Sequence, residues 1–164
     1  MKILLSGLNQ GLTQYSEDVS SDFLPEKWRE TYPETLHCAI TVDRFRRELR
    51  VRIHLDVNGH YRCDRCLADF ERPQRFEHEQ VYKVGDGPDP VDDDVIELPA
   101  DAVEIDLQPV LKEILILNHP LKLLCKEECA GLCPGCGADL NKEACRCDED
   151  GGDPRWAQLR KLLK

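Results

Sequence analysis

The sequence predicts an α+β protein in which a small antiparallel sheet is packed by a core helix and followed by a cysteine-rich lobe and a short terminal helix. Three observations carry this. Residues 49–57 alternate strictly between apolar and polar side chains, the period of a strand with one buried face. Residues 107–117 repeat apolar side chains at helical spacing. Eight of the nine cysteines form four close pairs, three of them after that helix. Strand signals therefore precede helix signals, the order of an α+β chain.

Extended segments are expected at residues 2–8, 35–42 and 76–84. The clearest strand sets Leu49, Val51, Ile53, Leu55 and Val57 against Arg50, Arg52, His54 and Asp56. Asn58-Gly59 follows, a pair that tolerates the positive φ of a tight hairpin turn, so His60-Tyr61-Arg62-Cys63 is expected as the returning strand. Residues 86–94 combine helix breakers with five aspartates and read as an acidic loop. Asp106 is placed to cap a helix with Pro109 in its first turn, and Leu107, Val110, Leu111, Ile114, Leu115 and Leu117 form its buried stripe. A last helix is expected after Asp153-Pro154, with Trp156, Leu159 and Leu163 on one face. The domain boundaries that follow are 1–120 for sheet, acidic loop and core helix, and 121–164 for the cysteine-rich lobe and terminal helix.

Lysine and arginine number 22 and aspartate and glutamate 32, a net charge of −10 that opposes whole-molecule attraction to RNA or a membrane. Residues 44–83 depart from this balance, with ten basic residues against seven acidic, so contact with a polyanion would have to be local. Between Asp86 and Asp106 there are nine acidic residues and no basic one, which suits either a solvated linker or capture of a basic partner. The apolar run at Met1–Gly7 is too short for a signal peptide, and no stretch is long enough to span a bilayer, so the cytosol is the expected compartment.

In that reducing compartment clustered cysteines are expected to bind metal. The pairs are Cys63/Cys66, Cys125/Cys129, Cys133/Cys136 and Cys145/Cys147. Eight thiolates suit two structural zinc ions, each closed by four sulfurs, with each pair supplying half a site from one tight turn. Cys133-Pro134-Gly135-Cys136-Gly137 has the form of a zinc knuckle that Cys145-Arg146-Cys147 would complete, leaving Cys125/Cys129 to meet Cys63/Cys66. The alternative joins Cys125, Cys129, Cys133 and Cys136 and pairs Cys63/Cys66 with Cys145/Cys147. The first is preferred because only three residues separate Cys129 from Cys133, an awkward spacing within one site and an easy one between neighbours. The two-residue spacing of Cys63/Cys66 and Cys133/Cys136 also allows a thiol redox protein, but that chemistry needs a following helix N-terminus, against which the sequence after Cys136 argues and for which residues 67–73 after Cys66 offer only a weak signal. The five histidines are scattered, and no serine elbow, phosphate loop or metalloprotease motif is present, so no catalytic residue is assigned and an enzyme is not expected. Cys38 stands apart as a small buried apolar residue.

Tyr61-Arg62-Cys63-Asp64-Arg65-Cys66-Leu67, Ile105-Asp106-Leu107-Gln108-Pro109, the run from Leu124-Cys125 through Cys129, Gly131-Leu132-Cys133-Pro134, Cys136-Gly137 and Asp139-Leu140-Asn141, and finally Asp153-Pro154-Arg155-Trp156 together resemble the bacterial YceD family of large ribosomal RNA subunit accumulation proteins. The resemblance covers about two thirds of the chain. It implies ribosome biogenesis, through synthesis, processing or stability of large-subunit (23S) ribosomal RNA. Two kinds of partner are then expected. One is that RNA or a pre-ribosomal particle, met by Arg50, Arg52 and Arg62 on the hairpin; the other is a basic ribosomal protein held, or chaperoned, by the acidic surface.

Overall fold

The computed structural model describes residues 1–85 and 95–147. Strand β1 (Lys2–Leu4) leads through a 3₁₀ turn to β2 (Gly11–Val19), and helix α1 (Glu26–Thr31) precedes β3 (Leu36–Phe45), β4 (Glu48–Arg62) and β5 (Asp69–Val84). Then come β6 (Val95–Leu98), β7 (Glu104–Asp106) and helix α2 (Gln108–Leu117). Strands β2 to β6 form one sheet in chain order, and β1 pairs with β7 in a separate two-stranded ribbon. The expected terminal helix and the acidic loop at 86–94 lie outside the described residues.

Two compact units emerge. The first holds Met1–Tyr61 and Glu71–Leu121; the second holds Arg62–Phe70 and the described residues from Lys122 onward. The core of the first unit follows from the alternation read in the sequence. Leu49, Val51, Ile53, Leu55 and Val57 are all buried, as are Leu36, Cys38, Ile40 and Val42 across the β3–β4 ladder, where Cys38 faces Leu55 and Ile40 faces Ile53. Leu107, Val110, Leu111, Ile114 and Leu115 of the α2 segment belong to the same apolar cluster, whereas Leu117, expected on that stripe, ends the helix 73% exposed. Each fully buried side chain of this kind contributes about 2 kcal/mol. Burial also raises the Cys38 thiol to about 11, which leaves it inert.

The expected hairpin at Asn58-Gly59 is absent: β4 runs straight through it. Gly59 is needed for space, since a Cβ there would lie 2.4 Å from the Tyr61 Oη. The Tyr61 ring folds back over the glycine, and its hydroxyl meets the Tyr32 hydroxyl at 3.1 Å and the Gln74 side chain. Asn58 donates from Nδ2 to Glu71 at 3.0 Å instead of turning the chain. The β3–β4 turn is Arg46-Arg47, with Arg46 at φ 56° and its guanidinium 5.2 Å over the Phe45 ring.

Three further expectations change. Strand β6 pairs parallel with β5, Val81 opposite Val95, so the sheet is mostly and not wholly antiparallel. The pairing covers four residues, Val81–Val84 against Val95–Leu98. The first strand stops at Leu4, where the chain winds into the 3₁₀ turn. Helix α2 takes Leu107 as its N-cap, while the Asp106 carboxylate one residue earlier accepts the Gln108 N–H at 3.0 Å. Strand β2 and helix α1 carry no strong period and were not expected.

Candidate metal centres

Both candidate centres lie in the second unit and share one backbone device. In Cys63-Asp64-Arg65-Cys66-Leu67-Ala68, the Cys63 N–H bonds the Ala68 carbonyl at 2.9 Å and the Leu67 N–H bonds the Cys63 carbonyl at 2.9 Å. In Cys133-Pro134-Gly135-Cys136-Gly137-Ala138, the Cys133 N–H bonds the Ala138 carbonyl at 2.8 Å and the Gly137 N–H bonds the Cys133 carbonyl at 2.9 Å. The fifth residue of each turn has positive φ, 59° at Leu67 and 74° at Gly137. Each turn aims two sulfurs the same way, and neither opens a helix: β5 follows the first and the Asp139–Asn141 turn the second. The helix N-terminus that a redox pair would use is therefore missing after both.

The sulfurs gather as Cys63, Cys66, Cys125 and Cys129, and as Cys133, Cys136, Cys145 and Cys147; within each group every sulfur lies within 4.8 Å of the others. This is the first of the two partitions. Cys63 and Cys129 are 3.8 Å apart and Cys66 and Cys125 3.6 Å; in the second group Cys133 lies 3.3 Å from Cys145 and 3.7 Å from Cys147. Four sulfurs bonded at about 2.3 Å to a tetrahedral zinc ion stand about 3.8 Å apart, so both groups have nearly the size of a closed site. None of the nine cysteines is in a disulfide.

Residues from 122 onward hold the first turn in place. Asp64 donates its N–H to the Leu123 carbonyl and accepts the Leu123 N–H on its carboxylate, both at 2.7 Å. The Arg65 guanidinium donates to the Cys129 carbonyl at 2.7 Å, and the Leu132 N–H reaches the Arg65 carbonyl at 2.9 Å. Gly131 makes that approach possible: it has φ 77°, and a Cβ there would lie 3.0 Å from the Arg65 oxygen. Asn141 donates from Nδ2 toward the Cys129 sulfur at 3.5 Å and accepts the Ala130 N–H at 2.9 Å. The motif containing Asp64, Arg65 and Asn141 was visible in the sequence, but their supporting role was not.

The electrostatics of each group suit a cation. Burial raises the Cys63 thiol, yet N–H donors of Cys125, Cys66 and Arg65 outweigh it and hold the group at about 6. The N–H groups of Cys136 and Gly135 likewise hold Cys133 at about 6. Burial, followed by the sulfurs of Cys66, Cys63 and Cys129, pushes Cys125 up to about 12, and hydrogen bonding with Cys145, Cys133 and Cys136 pushes Cys147 up to about 12. Each group thus favours some thiolates and resists ionising completely, a conflict that a divalent ion removes.

The three arginines are placed differently. Arg50 and Arg52 lie on the exposed face of β4, where Glu79 of β5 takes both, at 3.5 and 2.8 Å. Arg75 pairs with Asp56 along the same two strands, where the His54 ring lies 3.4 Å from Glu77, so the arginines alternate with carboxylates there. Arg62 donates from Nε to the Leu67 carbonyl at 3.1 Å and supports the first cysteine turn. Glu34, His60 and Glu71 also converge in the first unit, with His60 Nε2 3.4 Å from Glu34 and 3.9 Å from Glu71. Among the described residues, no helix is long and apolar enough to cross a membrane.

The sequence profile of the family described as large ribosomal RNA subunit accumulation protein YceD matches residues 49–163. The large ribosomal RNA subunit accumulation protein YCED homolog 1, chloroplastic, of Arabidopsis thaliana is 30% identical over 70 residues, 43% of this chain and 22% of that protein. Its counterpart of the same name in Zea mays is 38% identical over 64 residues, 38% of this chain and 22% of that protein. The uncharacterized protein YlbN of Bacillus subtilis (strain 168) is 32% identical over 103 residues, 62% of this chain and 59% of that protein. The chain thus spans less than two thirds of the length of these relatives. No solved structure gives a significant match.

Proposed function

This chain belongs to the YceD family, and from that premise we propose that it is a non-catalytic ribosome-biogenesis factor supporting synthesis, processing or stability of large-subunit (23S) ribosomal RNA. We further propose that each four-cysteine group holds one structural zinc ion. The observation that carries the reading is the pair of closed sulfur groups inside the segment that matches the family. Four sulfurs saturate a tetrahedral ion and leave no position for a substrate or an activated water, which suits a structural role. The work would be done in the cytoplasm, where thiols stay reduced.

A large-subunit RNA precursor particle is the proposed partner, with Arg50, Arg52 and Arg62 as contact groups. The ion pairs with Glu79 mean that RNA must displace a carboxylate to reach Arg50 and Arg52, so contact would be weak and salt-sensitive. The same pairing favours a second reading, in which a basic ribosomal protein binds the acidic surface and the arginines order their own sheet.

The test is depletion of the protein with measurement of mature large-subunit RNA relative to small-subunit RNA, alongside sedimentation of extracts and zinc analysis of purified protein. Selective loss of large-subunit RNA, co-sedimentation with its precursors and two zinc ions per chain are expected. An unchanged RNA ratio would remove the biogenesis reading. Co-sedimentation that survives Arg50→Gln, Arg52→Gln and Arg62→Gln together would select the protein partner.

A further inference from the structure

The two sulfur groups differ most in what water can reach. In the first, Cys63 is 0% exposed, Cys129 1% and Cys66 9%, Cys125 is partly buried, and Ala68, Phe70 and Leu124 pack around them. In the second only Cys133 is buried; Cys136, Cys145 and Cys147 are exposed. The second group also holds the shortest sulfur approach, 3.3 Å between Cys145 and Cys133, about 1.3 Å longer than a disulfide bond. An accessible thiolate beside a resolving thiolate is the arrangement that an oxidant converts to a disulfide without passing to irreversible acids.

We propose that the second group is a peroxide-sensitive zinc site, in which a hydroperoxide joins Cys145 to Cys133 and releases the ion while the first group keeps its own. This rests on the reading that both groups hold zinc. Zinc keeps the sulfurs deprotonated, and Cys145 is both exposed and nearest to a partner. The Cys145 thiolate attacks a peroxide oxygen: an S–O bond forms, the O–O bond breaks and hydroxide leaves. The Cys133 thiolate then attacks that sulfur: the S–S bond forms, the S–O bond breaks and the second oxygen leaves as hydroxide. Two thiolates lose two electrons, which the peroxide gains. Cys136 and Cys147 remain as two ligands where four are needed, and the ion dissociates. Large-subunit RNA accumulation would thereby respond to oxidant through a local loosening of residues 133–147.

The experiment uses the full chain loaded with zinc, its metal content measured first. Hydrogen peroxide is titrated in against a metallochromic zinc indicator, and thiols are trapped with iodoacetamide for peptide mass mapping. One of the two ions is expected to leave in an early phase, with a Cys133–Cys145 disulfide and with Cys63, Cys66, Cys125 and Cys129 still alkylated after denaturation. Dithiothreitol with added zinc should restore the ion. Release of both ions together, or an early disulfide among the first four cysteines, overturns this proposal and leaves the zinc reading standing. A chain that never loads two ions sinks the zinc reading and this proposal with it. Cys145→Ser should abolish the early disulfide; if that variant no longer loads its second ion, the mapping on the unaltered chain decides.

Discussion

The two cysteine turns have the same hydrogen-bond frame and opposite surroundings. The first is tied to residues about sixty positions away, through the Asp64–Leu123 and Arg65–Cys129 bonds and through its sulfurs. Among the described residues, the second gathers its sulfurs with those of the neighbouring Cys145-Arg146-Cys147, and three of the four cysteines are exposed. The first also has the costlier backbone, with Leu67 at a positive φ that disfavours side chains, whereas the second uses glycine. A local turn supplies the chemistry of half a site in both cases, and the distance to the other half decides how much of the fold depends on it.

The largest expected effect tests that dependence. Because zinc-binding free energy, about 10–16 kcal/mol for small structural sites, is also folding free energy, Cys63→Ser with Cys129→Ser should lose one ion and open the whole second unit to protease. Cys145→Ser with Cys147→Ser should lose the other ion and expose only residues near 133–147, leaving the sheet intact. Equal proteolysis of the two double variants would end the contrast. A strong chelator should likewise strip the exposed group first, read as two separated phases of zinc loss; a single phase would count against it.

Smaller effects sharpen the comparison at single residues. Gly131→Ala should destabilise the second unit by about 2 kcal/mol, from positive φ and the approach to the Arg65 carbonyl. An unchanged melting temperature would show that this contact is dispensable. Asn141→Ala removes a donor to the Cys129 sulfur, and losses of metal affinity of about 10- to 100-fold are usual for such partners. Competition with a chelator of known affinity measures it, and the loss should fall on the first ion alone. The smallest effect is at the fifth position of each turn. Leu67→Gly should raise stability by up to about 1 kcal/mol, and Gly137→Leu should lower it by about 1–2 kcal/mol. Leu67 is 49% exposed, so a loss of stability in Leu67→Gly would reveal packing that outweighs its backbone strain.

Features set by neighbouring residues were legible in the sequence. The alternation of residues 49–57 determined the buried face of β4, the spacing from Leu107 to Leu115 determined the buried face of α2, and two intervening residues determined that each cysteine turn aims its sulfurs together. The partition of the pairs was arguable from spacing, but only the packing of residues 62–70 against those from 122 onward brings Cys63 and Cys66 to Cys125 and Cys129. Tertiary contacts also reversed the turn expected at Asn58-Gly59, because Tyr61 needs the space above the glycine to reach Tyr32. They gave Arg50 and Arg52 a carboxylate partner, Glu79, more than two dozen residues away. The physical reason is common to all three: spacing fixes which way a side chain leaves the backbone, whereas what it meets depends on a strand or turn whose position no local pattern encodes.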